Sequence, residues 1–315
     1  MSLLGVASVA ALAVVAASLG PAASAVPAAD SCSVSAAGSA VRLETRTVAV
    51  AGTSISVAQT GRGRPLVLLN GTGSPLAEWD PALLAGLGAG RRVVVFDYPG
   101  LGESGPPPAR ITIGRMADWA ADLIVALGLV RPDVLGWSMG GFVAQQLAVR
   151  HPGTIRRLVL AGTNPGGAAA TLGPPWVQEA DSDSGGTTAT YLRTNYPPTR
   201  CAQAGGRAFL QRLRAAVDSG RYPETSTPSA TYEQMVMAED PWLRSDANAR
   251  ALAGLHLPVL VITGDRDLVT PPANSRFLAQ RIPGARLVLV PGAGHSFLFQ
   301  DPDAVARTVL AFLNG

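Results

Sequence analysis

"DVLGWSMGGFVAQQ", residues 133–146, sets one serine between two glycines where an apolar run gives way to a helical pattern. The run up to Trp137 reads as a strand and the stretch from Met139 as a helix, so Ser138 occupies the corner between them. Gly136 is expected to let the strand turn sharply, and Gly140 and Gly141 to let the helix pack close to the corner. Ser138 would then sit in a strained turn with its Oγ projecting outward. A serine that only caps a helix would not need those glycines. Gly-x-Ser-x-Gly alone is weak evidence in a chain with 35 glycines among 315 residues, so the surroundings decide.

Outward from that corner, Val/Leu/Ile runs closed by Gly or Asn recur: "PLVLLNG", "RRVVVFDYPG", "IRRLVLAG", "LPVLVITG" and "ARLVLVPG". Such runs suit strands buried on both faces of a parallel sheet. "RTVAVAGTSISVAQTG" predicts two antiparallel strands around Ala51-Gly52. Helical patterns separate most of the runs: "LAEWDPALLAGLG", "IGRMADWAADLIVALGL", "MGGFVAQQLAVRH", "PPANSRFLAQRI" and "PDAVARTVLAFLNG". This alternation predicts a doubly wound, mostly parallel α/β sheet built from residues 41–163 and 254–315. It breaks once. Residues 164–253 hold no strong strand and are rich in Gly, Pro, Ser and Thr. A helical insertion over one end of the sheet is expected there, since structureless loops of that length are rare.

With 47% apolar side chains the chain has ample material for a core. A net charge of +3 and the lack of any basic run argue against nucleic acid as a partner. All 25 basic residues are arginine, which excludes a Walker A lysine, a Schiff-base lysine and a Ser–Lys pair. "GLGESG" at 100–105 matches a dinucleotide fingerprint and follows a strand. Three prolines come next, so no helix N-terminus is available to hold a pyrophosphate.

"LLGVASVAALAVVAASLG" followed by "PAASAVPAAD" reads as an export signal over residues 1–25, with Ala23 and Ala25 in the A-x-A cleavage pattern. No Lys or Arg precedes the apolar run, so an uncleaved anchor is the competing reading. Its Ala/Gly/Ser richness and trailing Pro-Ala stretch count against a spanning helix. The expectation is an exported protein beginning at Val26, with no stable membrane insertion. Cys32 and Cys201, the only cysteines, are open to two readings, one disulfide or two unrelated thiols. Neither has the spacing of a metal site.

Sheets of this kind bind ligands outside the C-terminal ends of their strands. "LPVLVITGDRDLVTPP" delivers Asp265 and Asp267 there, and "ARLVLVPGAGHSFLFQDPD" delivers His295. His151 ends a helix before Pro152, and His256 precedes a strand at the opposite end of the sheet. A neutral His295 could take the Ser138 proton while a carboxylate holds its tautomer and stabilises the imidazolium. Asp265 directly follows Gly264, where its side chain would accept backbone N–H bonds; Asp267, two residues further out, can turn back over the sheet. Donors for an oxyanion are expected from the Met139 N–H and from the loop Asn70-Gly71-Thr72-Gly73.

From about residue 45 the chain resembles the α/β-hydrolase family. The matching motifs are Gly136-Trp137-Ser138-Met139-Gly140, "DYPGLGES" at 97–104, "GDRD" followed by Pro271, and "GAGH" at 292–295, in the order Ser, Asp, His. The resemblance implies nucleophile Ser138, acid Asp267, base His295 and oxyanion N–H groups at Thr72 and Met139. It also implies that the insertion shapes the pocket, with Trp176, Tyr191, Tyr196, Phe209, Tyr232 and Trp242 as candidate lining or core. Asn70 departs from the family, which often has His before the glycine. Members that open epoxides or displace halide carry an aspartate nucleophile, so Ser138 implies acyl transfer without metal or organic cofactor. The expected function is an exported serine hydrolase acting on a small-molecule ester or related acyl bond. A peptidase releasing N-terminal residues, a C–C hydrolase, a cofactor-free perhydrolase and a non-catalytic binding protein are the alternatives. Specificity and oligomeric state have no readable motif.

Overall fold

The computed structural model describes residues 24–25, 32, 40–183 and 186–315. Of the sequence assigned to an export signal, all but Ser24–Ala25 lies outside these residues, as does Val26. The strands are β1 (Ser24–Ala25), β2 (Arg46–Val50), β3 (Thr53–Gly61), β4 (Pro65–Leu69), β5 (Arg92–Phe96), β6 (Asp133–Trp137), β7 (Leu158–Ala161), β8 (Val259–Gly264) and β9 (Arg286–Val290). They form one sheet in the order β1-β9-β8-β7-β6-β4-β5-β3-β2. β2 and β3 pair antiparallel around Ala51-Gly52, and β3 pairs antiparallel with β5; every other pairing is parallel.

The helices are α1 (Pro81–Gly88), α2 (Ile113–Ala126), α3 (Met139–Arg150), α4 (Pro175–Ser182), α5 (Thr188–Asn195), α6 (Arg200–Asp218), α7 (Ser229–Leu243), α8 (Ala247–Ala251), α9 (Pro272–Arg281), α10 (Phe297–Gln300) and α11 (Pro302–Asn314). Between β7 and β8 the described residues form α4 to α8 with short 3-10 turns and no strand. Successive residues of a strand point to opposite faces, so a continuous apolar run feeds two cores. Val67 and Leu69 of β4 and Val94 and Phe96 of β5 join the core under α2 and α3. Leu66, Leu68, Val93 and Val95 join the core under α1 and α11.

The strand order reverses at β4. The chain runs from β4 to its neighbour β5, then crosses back through α2 to place β6 on the other side of β4. A reversal of this kind opens a crevice outside the carboxyl ends of the two strands. Those ends lead into the Asn70–Gly73 loop and into Ser138.

Candidate active site

Ser138 has φ 55° and ψ −125°, a left-handed backbone that costs a non-glycine residue roughly 1–3 kcal/mol. Two backbone bonds hold it there: Ser138 N–H donates to the Ala161 carbonyl at 3.0 Å, and Gly141 N–H donates to the Ser138 carbonyl at 2.8 Å. The flanking glycines provide clearance. A Cβ on Gly136 would lie 2.2 Å from the Gly140 carbonyl oxygen, and one on Gly140 would lie 2.1 Å from that of Leu69. Gly136 has no positive φ, so its role is to admit the first turn of α3 against β6 rather than to turn the strand.

His295 follows β9 and is 2% exposed; Asp267 follows β8 and is equally buried. The His295 Nδ1 lies 3.0 Å from Asp267 Oδ2 and 3.2 Å from Oδ1. Asp267 Oδ1 also accepts from the N–H groups of Val269 and Thr270, each at 2.9 Å. Its Oδ2 accepts from the hydroxyls of Thr263 at 3.1 Å and Thr270 at 2.9 Å. Burial alone would lower the pKa of His295. The Asp267 carboxylate, helped by Asp181 and Glu239, outweighs it, and the net direction is upward. Asp265 turns the other way, its Oδ1 accepting from Gly292 N–H at 2.8 Å in an exposed turn.

Ser138 and His295 line one cleft of about 300 Å³, together with Gly71, Thr72, Glu78, Asp181, Tyr191 and Tyr232. Larger depressions of about 620 Å³ between α9, β9 and α11 and of about 650 Å³ beside α2 contain neither residue. The cleft roof comes from helices between β7 and β8 and the segments that join them. The loop under it is locked from within: Asn70 Nδ2 donates to the Pro75 carbonyl at 2.8 Å, and Ser74 N–H to that of Gly71 at 3.3 Å. Beside it, Asp97 accepts from Leu76 N–H at 2.6 Å, and burial pushes its carboxyl up to about 6 despite that bond. Among the described residues no three His, Cys, Asp or Glu side chains gather in a way that could hold a metal ion.

A family model described as the alpha/beta hydrolase fold matches residues 64–302. The chain belongs to the alpha/beta hydrolase family. Its relatives differ in size and role. It is 31% identical over 273 residues to the polyketide synthase ThaQ of Burkholderia thailandensis, covering 84% of this chain but only 12% of that one. It is 31% identical to the pimeloyl-[acyl-carrier protein] methyl ester esterase of Neisseria meningitidis serogroup A, over 80% of this chain and 77% of the esterase. Among solved structures, an alpha/beta hydrolase fold protein from Chitinophaga pinensis superposes with a TM-score of 0.75 at 26% identity, covering 87% of this chain and 98% of that one.

In this alpha/beta hydrolase the residues singled out from sequence divide as follows. Ser138, His295, Thr72 and the loop glycine Gly71 meet at the cleft, with Asp267 behind His295. Met139 opens α3, where its N–H has no partner within the helix. Of the six aromatics considered, Tyr191 and Tyr232 line the cleft. Tyr196, Phe209 and Trp242 are buried elsewhere, and Trp176 lies outside with the Arg193 guanidinium 4.7 Å over its ring. His151 pairs with Asp118 at 2.7 Å between α2 and α3.

Sequence reasoning missed the residues that hold the histidine loop. Trp137 Nε1 donates to the His295 carbonyl at 3.2 Å. Asn195, ending α5, accepts from Ser296 Oγ at 3.0 Å through its side chain and from Ser296 N–H at 3.3 Å through its carbonyl. Trp137 was visible as a member of the glycine motif. Asn195 carries no local signal.

Proposed function

We propose that this protein is a serine hydrolase that cleaves a carboxylic ester of a small molecule through an acyl-enzyme on Ser138. The observation that carries the reading is a strained Ser138 lining the same cleft as His295, whose Nδ1 is held by a fully hydrogen-bonded Asp267. Ser138 Oγ attacks the ester carbonyl carbon as its proton passes to His295 Nε2. The N–H groups of Thr72 and Met139 receive the developing oxyanion. His295 returns the proton to the leaving alcohol. It then takes a proton from water as the water oxygen attacks the acyl carbon, and passes that proton to Ser138 Oγ as the carboxylic acid leaves. Kinship with a methyl ester esterase supports an ester over other acyl bonds.

Labelling with a fluorophosphonate probe tests the nucleophile: the adduct is expected on Ser138 and absent in Ser138→Ala, whose turnover should fall by several orders of magnitude. Wild-type rates in a folded Ser138→Ala protein would sink the assignment. A screen of p-nitrophenyl esters beside aminoacyl arylamides tests the bond. Glu78 and Asp181 line the cleft and no arginine does among its described lining residues, so neutral esters should outrun carboxylate-bearing ones.

Export belongs to the same proposal. Beside the apolar N-terminal run and its A-x-A pattern, it is supported by the disulfide between Cys32 and Cys201, which suits an oxidising compartment. Cleavage after Ala25 would remove β1 and leave β9 at the sheet edge. Mass spectrometry of the protein from the culture medium should find Val26 first, and an intact N-terminus in the membrane fraction would replace secretion with anchoring.

A further inference from the structure

The loop that carries Thr72 is gripped from above by one stretch of the insertion. Thr72 Oγ1 donates to Glu239 Oε1 of α7 at 2.5 Å, across 167 residues of sequence. Thr227, just before α7, donates its hydroxyl to the Gly73 carbonyl. The Tyr232 ring, also from α7, lies against Gly73 so closely that a Cβ there would come within 2.3 Å of it. Tyr232 in turn donates its hydroxyl to the Asp181 carbonyl at the end of α4. Burial pushes the half-buried Glu239 carboxyl up to about 7; the Thr72 bond opposes this and Asp181 adds to it.

Thr72 needs such a hold. It stands between Gly71 and Gly73, the second at φ 66°, and glycines give a loop little stiffness of its own. Threonine is branched at Cβ and stiff at χ1, so fixing its Oγ1 fixes the direction of the backbone that bears it. An oxyanion donor is effective only over a few tenths of an ångström, and a misplacement near 1 Å costs roughly 100-fold in rate.

We propose that Glu239 is a positioning residue: by holding the Thr72 hydroxyl from α7, it aims the Thr72 N–H at the oxyanion position above Ser138. The insertion then completes the catalytic geometry as well as roofing the cleft. This inference rests on the reading of Ser138 as nucleophile and Thr72 as oxyanion donor.

The test is steady-state kinetics on a p-nitrophenyl ester at a pH above the acid limb, where the influence of Glu239 on His295 no longer matters. Glu239→Ala should lower kcat by about 10- to 100-fold with KM within about twofold, and should weaken an alkylboronic acid, a tetrahedral mimic, by a similar factor. Glu239→Gln keeps an acceptor for Thr72 and should recover most of the rate. Thr72→Val removes the hydroxyl at constant shape and should match Glu239→Ala, with the double variant no slower than either. Should Glu239→Ala fail to fold, Thr72→Val and Glu239→Gln carry the test. An unchanged kcat, a Gln variant as slow as Ala, or losses that multiply in the double variant would overturn the proposal. Fluorophosphonate labelling of wild-type Ser138 separates the two levels. Labelling with unaffected Glu239 variants defeats this inference alone, and no labelling defeats the functional reading with it.

Discussion

Asp267 accepts from donors on every side, and this fixes what an amide in its place would do. In Asp267→Asn the new amide nitrogen cannot face the Val269 and Thr270 N–H groups that converge on Oδ1, so it must occupy the Oδ2 site. There it meets the hydroxyls of Thr263 and Thr270, which can accept, and His295 Nδ1, which must then accept as well. His295 would carry its proton on Nε2 and could no longer take one from Ser138. Asp267→Asn is therefore expected to cut kcat by roughly four orders of magnitude with little change in stability. Asp265→Asn should keep its rate and lose about 1 kcal/mol at most. Its side chain braces an exposed turn through Gly292 N–H and otherwise meets, among the described residues, only the exposed Arg266 guanidinium at 4.0 Å. Rates and melting temperatures of both variants check the pair, and a large rate loss in Asp265→Asn would move the acid there. The pH profile follows from the same geometry. The fold favours protonated His295, so the neutral base is lost on acidification at a higher pH than for an ordinary imidazole. The acid limb of kcat/KM should lie above 6.5 and move down in Asp181→Asn, because Asp181 is one of the charges raising it.

Most elements of the sheet were legible because the parallel strands are built on short Val/Leu/Ile runs and helical patterns separate them, whereas β1 lies in the stretch read as an export signal. The site at its carboxyl end was legible because Ser138, Asp267 and His295 each come just after a strand. The helical character of the insertion was legible too, but its anchoring was not, because the anchors are polar contacts between residues far apart in sequence. The clearest is Arg212 of α6. Its Nε donates to Asp80 Oδ1 at 2.9 Å, its Nη2 to Oδ2 at 2.5 Å and to the Phe299 carbonyl at 3.0 Å, tying α6 to α1 and α10. Asp80 also caps α1 by accepting from Ala82 N–H at 2.8 Å. One arginine among 25, paired across 132 residues, announces none of this. Burial pushes the Asp80 carboxyl up in spite of Arg212, so the pair is costly to bury and costlier to break. Arg212→Ala is expected to destabilise by about 3–5 kcal/mol in denaturant unfolding. Asp80→Asn with Arg212→Met keeps the α1 cap, removes both charges and should recover part of that loss. A double variant as unstable as Arg212→Ala would mean that the stranded charge is not the cause.

At the scale of the whole molecule, α6 is where the chain is bound to itself twice. Cys201 in its first turn is joined by a disulfide to Cys32, so residues 169 positions apart are covalently linked. The link closes a loop that holds β2 to β7 and the first part of the insertion. Cross-linking so long a loop removes conformational freedom chiefly from the unfolded chain, a gain typically of about 2–5 kcal/mol. Neither cysteine lines the cleft, so the bond should act on stability rather than on chemistry. Cys201 and Arg212 stand about 16 Å apart along α6 at the helical rise of about 1.5 Å per residue, far enough for their effects to be independent. Cys201→Ser is thus expected to lower the unfolding free energy by about 2–5 kcal/mol, to leave kcat on a p-nitrophenyl ester near wild type, and to add to Arg212→Ala within about 0.5 kcal/mol. Equilibrium unfolding of the two single variants and the double variant, with and without reductant, gives each of these numbers. A kcat that falls with the disulfide would mean that the link also sets the cleft. Strong non-additivity would mean that α6 is released as one unit when either anchor goes.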